Sequence, residues 1–285
     1  MVQLSSLFLT LAILLFSNPD SLAPPALTNR PASLILGSST MGTPIQATRF
    51  GRGPKALVLS HGIHGAFEAN TVELGEFFRL FFSLYPPPSQ LSVYIIHNLN
   101  PDSFELSKNQ WKGERVLSRF NARMVDLNRN WESQSWKPNV SFADSSYRGI
   151  GGPRPFSEPE TRAFRDFLLA LQSQHPELLV VNYHSYRFLE EKPGIVQPAY
   201  SPGHVPVPQA LEAANDYVRF TDLEVITAWD EYEVPGEFLS WAGEQGIAAL
   251  DVELDSIEPP WQAHLSEHVS GVGQVIQGFI QGYGP

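Results

Sequence analysis

Two hydrophobic patterns alternate along the chain: short, continuous apolar runs and longer segments whose apolar residues recur at helical spacing. The continuous runs predict buried strands, at 55–62, 91–99, 178–186, 224–229 and 248–254. The helical spacing predicts helices at 68–85 and 156–174, with a terminal helix within 261–281. This alternation favours an α/β fold, a single domain with a mixed, mostly parallel sheet and helices on both faces.

Local signals refine the helix boundaries. The Pro-Pro-Pro sequence at 86–88 ends the first predicted helix. Ser157 and Glu160, with Pro159 between them, form a capping-box pattern that predicts the start of the second. The segments 101–155 and 193–207 are long and irregular, and we expect loops there that carry function.

Polar residues stand where the predicted strands end. His61 and His64 follow one apolar run, His184 follows another, and Glu253 lies within the last. Ligands of such sheets bind at the carboxyl ends of the strands. A carboxylate flanked by Val252 and Leu254 is also costly to bury unless it is paired or functional. We therefore expect these side chains to meet at one rim of the sheet.

The first residues are typical of a secretory signal peptide. Leu7–Phe16 is a ten-residue apolar run, too short to span a bilayer, and Ser21 and Ala23 are small residues at cleavage-site positions. We expect a signal peptide at 1–23, a Pro-rich linker at 24–34 and the folded domain at 35–285. The mature protein would be secreted or periplasmic without a membrane span. Because no Lys or Arg precedes the run, a buried or membrane-associated helix is the alternative.

Composition excludes several function classes. The formal net charge is −11, from 19 basic and 30 acidic residues. Nucleic acids and anionic membranes need a positive surface, so neither is expected as a partner. There are no cysteines, which excludes disulfides, thiolate zinc sites and cysteine nucleophiles. Any metal would have to be held by His, Asp, Glu or carbonyl groups.

The stretch LSHGIHGAFEANT at 59–71 has three interpretations. It could be the oxyanion loop of a serine hydrolase, a metal site that uses a histidine and Glu68, or a glycine-rich turn into a helix. The first needs a Gly-x-Ser-x-Gly nucleophile motif, and the sequence contains none. The residues of this stretch alone do not separate the other two interpretations.

Further motifs occur downstream in a fixed order. RFNARMVDLNRNW (119–131) ends in Asp-Leu-Asn-Arg-Asn, and FSEPETRAF, NYHSY, YEVPGEFLSW and VEL follow it. Together with GIHGAFE and NLNPDSFE they resemble the zinc metallocarboxypeptidase family over about 55–255. The resemblance is greatest to the bacterial branch that contains murein peptide amidases.

The resemblance implies a site with one Zn²⁺ per chain. His64, Glu68 and His184 would hold the metal, which is the three-ligand pattern of catalytic zinc. Glu253 would be the general base. Asp126 would orient the first histidine from behind.

It also implies how substrate would be held. Arg129 and Asn128 would bind the terminal carboxylate, and Arg119 would polarise the scissile carbonyl. Tyr232 would close over the substrate. The residue that sets side-chain preference falls near Leu239, which favours an apolar or small side chain, whereas the neighbouring Glu237 would favour an amine such as that of diaminopimelate.

One departure from the family pattern bears on the metal. The family's first motif is His-x-x-Glu, but three residues separate His64 from Glu68 here. In a loop, the extra residue can bulge and Glu68 still reaches the metal. In an α-helix, Glu68 would turn away by about 100°. Ser103 also stands where glycine is common.

The expected function is zinc-dependent hydrolysis of an amide next to a free carboxylate, by a carboxypeptidase or a peptidoglycan-peptide amidase. A peptide or muropeptide would be the substrate, and we expect a monomer. The alternatives are a catalytically degenerate peptide-binding protein and an N-acyl-amino-acid deacylase of the same fold.

Overall fold

The computed structural model describes residues 30–110, 115–142, 147–185, 194–227, 229, 232–254 and 265–284. The strands are β1 (Ala32–Ser38), β2 (Pro44–Gly51), β3 (Lys55–Ser60), β4 (Leu91–Ile96), β5 (Ser141–Phe142), β6 (Tyr147–Arg148), β7 (Glu177–Ser185), β8 (Ile195–Pro198), β9 (Tyr200–Ser201), β10 (Val205–Pro206), β11 (Glu224–Val225) and β12 (Ala248–Leu254). The α-helices are α1 (Ala69–Leu84), α2 (Asp102–Asn109), α3 (Pro159–Gln174), α4 (Pro208–Val218), α5 (Phe238–Glu244) and α6 (Leu265–Gln281).

Eight strands form one mixed sheet, in the order β1-β2-β4-β3-β7-β12-β8-β11. Its centre is parallel, because β3 pairs in parallel with β4 and β7, and β12 with β7. The β1–β2 hairpin extends one edge in antiparallel fashion through β2–β4, and β8 pairs antiparallel with β12. This confirms the α/β fold with a mixed sheet.

The core lies on both faces of the central strands. All six residues of β4 are buried, and β3, β7 and β12 each have only one residue that is not. Helices cover these strands with aromatic and aliphatic side chains, such as Leu74 and Phe78 of α1. The continuous apolar runs of the sequence therefore correspond to strands shielded from water on both sides.

Several elements differ from the sequence prediction. β1 begins at Ala32, within the stretch predicted as linker, and α2 and β8 lie inside segments predicted as loops. The strand predicted at 224–229 is the two-residue β11. These elements are short or only partly buried, so their apolar periodicity is too weak to detect.

The predicted capping box is wrong. α3 begins at Pro159, so Glu158 is the N-cap residue. The Ser157 hydroxyl donates to Glu158 Oε1 at 2.8 Å rather than capping the helix. Glu160 is buried and its Oε1 accepts the Thr40 N–H at 2.7 Å, which ties the β1–β2 turn to α3.

The predicted signal peptide and most of the predicted linker lie outside the described residues. Among the helices that the structure describes, none combines the length and apolarity that a membrane crossing requires.

Candidate metal centre and active site

The carboxyl ends of β7 and β12 bring two predicted site residues side by side. The parallel register pairs His184 with Glu253, and two residues earlier it pairs Asn182 with Asp251. Residues two apart on a strand share a face. The two strands therefore present one imidazole and two carboxylates to the same rim of the sheet.

The segment from His64 to Glu68 is a turn followed by a short 3-10 helix (Gly65–Glu68), not an α-helix. Gly65 has a φ of 51°, in the left-handed region that glycine adopts without strain. The Ser103 hydroxyl accepts the Ala66 N–H at 2.6 Å. The extra residue is thus absorbed in a turn, and Glu68 lies just before the first residue of α1.

His64, Glu68 and His184 converge in this conformation. Each offers one ligand atom, and these atoms lie within 4.8 Å of one another. His184 Nδ1 is 3.5 Å from Glu68 Oε2, and His64 Nε2 is 4.0 Å from Glu68 Oε1. All three side chains are buried.

This geometry fits a tetrahedral metal. Zinc bonds of 2.0–2.1 Å in a tetrahedron place ligand atoms about 3.3 Å apart, somewhat closer than the 3.5 and 4.0 Å between the imidazole nitrogens and the Glu68 oxygens. Within the described residues, Glu68 Oε2 is a buried oxygen without a hydrogen-bond partner, an arrangement that costs stability unless a cation compensates it. The set of two imidazoles and one carboxylate is that of catalytic zinc sites.

Asp126 lies behind His64. Its Oδ1 is 3.5 Å from His64 Nδ1, the nitrogen that faces away from Glu68. Burial disfavours a charge on Asp126, but Arg119 and Arg129 hold the pKa of this carboxyl below its ordinary value. Burial, with Arg119, lowers the pKa of His64 well below its ordinary value. His64 is therefore neutral, the form that binds a metal.

His184 has its own acidic partner. His184 Nε2 lies 3.4 Å from Asp251 Oδ2, and Asn182 bridges to both residues at 2.8 and 2.9 Å. Burial opposes a charge on His184, but Asp251 and Glu68 outweigh it and raise its pKa well above the ordinary value. A divalent cation bound there would displace this proton.

We call His64, Glu68 and His184 the metal cluster. Glu253 lines the same cavity as these three residues but is not one of them. Burial raises its pKa to about 8, and the negative charges of Glu68 and Asp251 add to the effect while His184 opposes it. Raised carboxyl pKa values of this kind are common where a general base operates.

Two arginines complete the rim. Arg119 donates through Nε to Asp126 Oδ2 at 2.8 Å, and Arg129 donates to the Asn128 carbonyl at 2.7 Å. Asn128 Oδ1 accepts the Phe238 N–H at 2.8 Å. Its Nδ2 therefore stays available as a donor. The cavity, of about 60 Å³, is lined by the metal cluster, both arginines, Asn128, Glu237, Asp251, Glu253 and others.

Tyr232 lies at the edge of this cavity and is 49% exposed. Its ring contacts that of Trp229 edge to face, with centroids 5.2 Å apart. The two residues also line a neighbouring cavity of about 720 Å³. Tyr232 thus stands between the metal cluster and open space.

Comparison with known proteins identifies the family. The model of the family described as zinc carboxypeptidase (Peptidase_M14) matches residues 89–258. The chain belongs to the zinc carboxypeptidase family. The match covers more than half of the chain and includes β7, β12 and both arginines.

The chain is similar to two curated proteins and one solved structure of this kind. Murein peptide amidase A of Vibrio campbellii is 27% identical over 81% of this chain and 79% of its own length. A metallocarboxypeptidase A-like protein of Trichophyton verrucosum is 30% identical over 47% of this chain, but the match spans only 34% of that protein. The crystal structure of murein-tripeptide amidase from Escherichia coli O157 superposes with a TM-score of 0.56 at 21% identity, over 92% of this chain and 96% of that one.

The sequence analysis missed two polar residues of the candidate site. Asp251 and Asn182 contact His184, yet neither was a candidate. The signal was present, because Asp251 alternates with apolar residues just as Glu253 does. Leu239 is completely buried in the core and does not line the cavity, so it is not available to contact a substrate.

Proposed function

We propose that this member of the zinc carboxypeptidase family hydrolyses an amide bond next to a free carboxylate, with one Zn²⁺ held by His64, Glu68 and His184. The observation that carries the proposal is that the three metal-competent side chains, Glu253 and Arg129 face one cavity. The same cavity then contains groups suited to a metal, a proton transfer and an anionic chain end.

The proposed reaction assigns a different role to the metal, to Glu253 and to Arg119. A zinc ion at the site would supply a Lewis acid that lowers the pKa of water. Glu253 would take the proton of the attacking water and pass it to the leaving amine. Arg119 would donate to the oxygen of the scissile carbonyl as negative charge develops on it.

Three other residues would position the substrate. Arg129 is a planar, permanently charged donor, and Asn128 Nδ2 stands beside it, so the two would hold a carboxylate in a fixed orientation. Tyr232 would fold over the bound substrate from the rim. The net charge of −11 does not prevent anion binding, because the arginines and the metal determine the local field.

We propose a peptide with a free C-terminus as the substrate class, and a murein stem peptide as its most specific form. The names of two relatives, murein peptide amidase A and murein-tripeptide amidase, support this choice. We also propose a secreted or periplasmic location, where such peptides are accessible. The expected signal peptide at 1–23 would direct the chain there.

The test is a substrate panel on protein of measured metal content. Blocked dipeptides, a muropeptide and an N-acyl-amino acid are incubated with the zinc-loaded and the chelated protein. We expect about one zinc per chain and hydrolysis of the peptides that the chelator abolishes. Zinc binding without hydrolysis would favour the degenerate peptide-binding protein. Cleavage of the N-acyl-amino acid alone would favour a deacylase.

A further inference from the structure

Glu237 lies beside the proposed carboxylate clamp because the chain around it is bound to the clamp's backbone. The Phe238 N–H donates to Asn128 Oδ1 at 2.8 Å, and the Trp131 N–H donates to the Gly236 carbonyl at 3.0 Å. Gly236 has a φ of 71°, and a Cβ there would lie 2.6 Å from the Arg129 carbonyl oxygen. A substrate carboxylate held by Arg129 would thus place its own Cα substituent close to Glu237.

The other carboxylates of the cavity already have counterparts. Asp251 lies against His184, and Glu68 belongs to the metal cluster. Glu253 faces the same cluster, in register with His184. Arg119 lines the cavity but is paired with Asp126, which is not among the lining residues. Glu237 forms no ion pair among the described residues, and once Arg129 holds the substrate carboxylate the charge of this nearby arginine is compensated.

Glu237 is buried, at 4% exposure, and within the described residues its hydrogen-bond partner is the neutral hydroxyl of Tyr200, which donates to Oε1. Burial raises the pKa of Glu237 to about 7, and the charge of Asp251 adds to this effect, whereas the Tyr200 hydroxyl, Arg129 and His184 oppose it. A buried carboxylate without a cation is unfavourable, and a bound cation would remove that cost. A ligand with a positive charge beside Glu237 would therefore stabilise its ionised form.

We propose that Glu237 selects substrates whose C-terminal residue carries an ammonium group on its side chain. The inference rests on the proposed hydrolytic function and adds a substrate class to it. The ammonium could belong to a C-terminal lysine in an ordinary peptide or to the diamino acid of a murein stem peptide.

The experiment compares lysine with norleucine, which has a similar length and no charge. Zinc-loaded protein is assayed on N-acetyl-alanyl-lysine and N-acetyl-alanyl-norleucine, and on γ-D-glutamyl-lysine and γ-D-glutamyl-norleucine. We expect kcat/KM to favour lysine by about 10- to 100-fold in at least one pair, as for a hydrogen bond to a charged group. Which pair is cleaved distinguishes an ordinary peptide from a stem-peptide linkage.

Glu237→Gln should reduce the lysine-to-norleucine ratio to about 3 or less. Glu233→Gln is the matched control, because Glu233 is an exposed acid in the same segment that pairs with Lys137, and it should leave the ratio unchanged. Calorimetric binding of free lysine and norleucine gives a readout that needs no turnover. It should show the same preference and the same loss in Glu237→Gln.

The outcomes separate the two proposals. Hydrolysis of norleucine substrates at least as fast as lysine substrates, or a ratio that Glu237→Gln leaves unchanged, would overturn the role of Glu237 and leave the hydrolytic function intact. If the zinc-loaded protein hydrolysed none of the four substrates, the proposed hydrolytic function would be overturned. In that case, a lysine preference in calorimetry would still support the charge selectivity of the cavity.

Discussion

At the residue scale, the site depends on buried polar groups whose protonation is set by their neighbours. His64 is kept neutral by burial and the nearby arginines, whereas Asp251 and Glu68 favour a proton on His184. Motif reading placed these histidines and Glu253 at strand ends. It did not reveal Asp251, because this residue reaches His184 only through the pairing of two strands that are distant in sequence.

Glu253→Gln should abolish most of the activity while leaving metal binding intact. Glutamine has nearly the same shape but cannot accept the proton, and a general base contributes about 10²- to 10⁴-fold to the rate. The measurement is kcat on a cleaved peptide, beside zinc content by elemental analysis. A variant with full zinc occupancy and near wild-type kcat would remove Glu253 from the proposed mechanism.

His61 predicts a specific pH dependence of stability. It is buried, stacks on Tyr183 and hydrogen-bonds to the Ile96 carbonyl, and burial lowers its pKa to about 4. Between pH 6.5 and 4 the unfolded chain binds a proton at this residue that the folded protein does not. The free energy of unfolding should therefore fall as the pH is lowered through this window, by about 3 kcal/mol from His61 alone.

The check is urea unfolding at pH 7 and pH 4.5, in chelator, for wild type and His61→Phe. Phenylalanine can keep the stacking on Tyr183 but does not titrate. The decrease in stability should be about 2–3 kcal/mol smaller in the variant. Equal decreases in both proteins would show that His61 is not held neutral in the fold.

At the element scale, the turn between β3 and α1 decides whether a metal site exists. The residue types left two conformations open for the interval from His64 to Glu68. The structure has the turn, and it joins two departures from the family pattern, because Ser103 hydrogen-bonds to the backbone of the longer interval. This contact between segments 37 residues apart could not be read from the local sequence of either.

Gly65→Ala should weaken metal binding. Its φ of 51° is unfavourable for alanine, and the new Cβ would lie 1.9 Å from Ser103 Oγ. The turn would have to shift and move Glu68 relative to His64. We expect a zinc affinity at least about 10-fold lower, as for changes that disturb ligand orientation, measured by competition with a chromophoric chelator.

Gly246→Ala is the matched control for that variant. Gly246 also has a positive φ, of 68°, but nothing lies within 4 Å of a Cβ built there. It should lose stability by about 1 kcal/mol from backbone strain and keep its zinc affinity. Equal affinity in both variants would show that the turn does not position Glu68.

The sequence patterns predicted the central strands and the longest helices because these are buried continuously or amphipathic over many residues. They did not predict the β1–β2 hairpin, α2 or β8. Leu34 and Leu36 of β1 are only partly buried, and the conformation of this edge is determined by contacts far along the chain, such as that of Thr40 with Glu160. Long-range contacts of this kind leave no periodic signal.

At the scale of the whole molecule, the metal cluster joins parts of the fold that are distant in sequence. His64 and Glu68 follow β3, His184 ends β7, and Asp126 supports the cluster from a separate segment. The three side chains bring acidic and imidazole groups close together, and among the described residues Glu68 Oε2 is buried without a hydrogen-bond partner. Metal binding should therefore stabilise the folded state as a whole.

We expect chelation to lower the melting temperature and added zinc to restore it. A ligand that binds only the folded state stabilises it by about 2.7 kcal/mol at 100 times its dissociation constant, or about 5–10 °C for a domain of this size. The measurement is calorimetry in buffered free zinc. In Glu68→Gln the melting temperature should depend little on zinc, since the carboxylate ligand is gone. The contrary result would be a wild type that binds one zinc per chain and melts at the same temperature with and without it. That result would show that the ion binds the unfolded chain equally well, and therefore does not occupy the site formed by the β3–α1 turn and the end of β7.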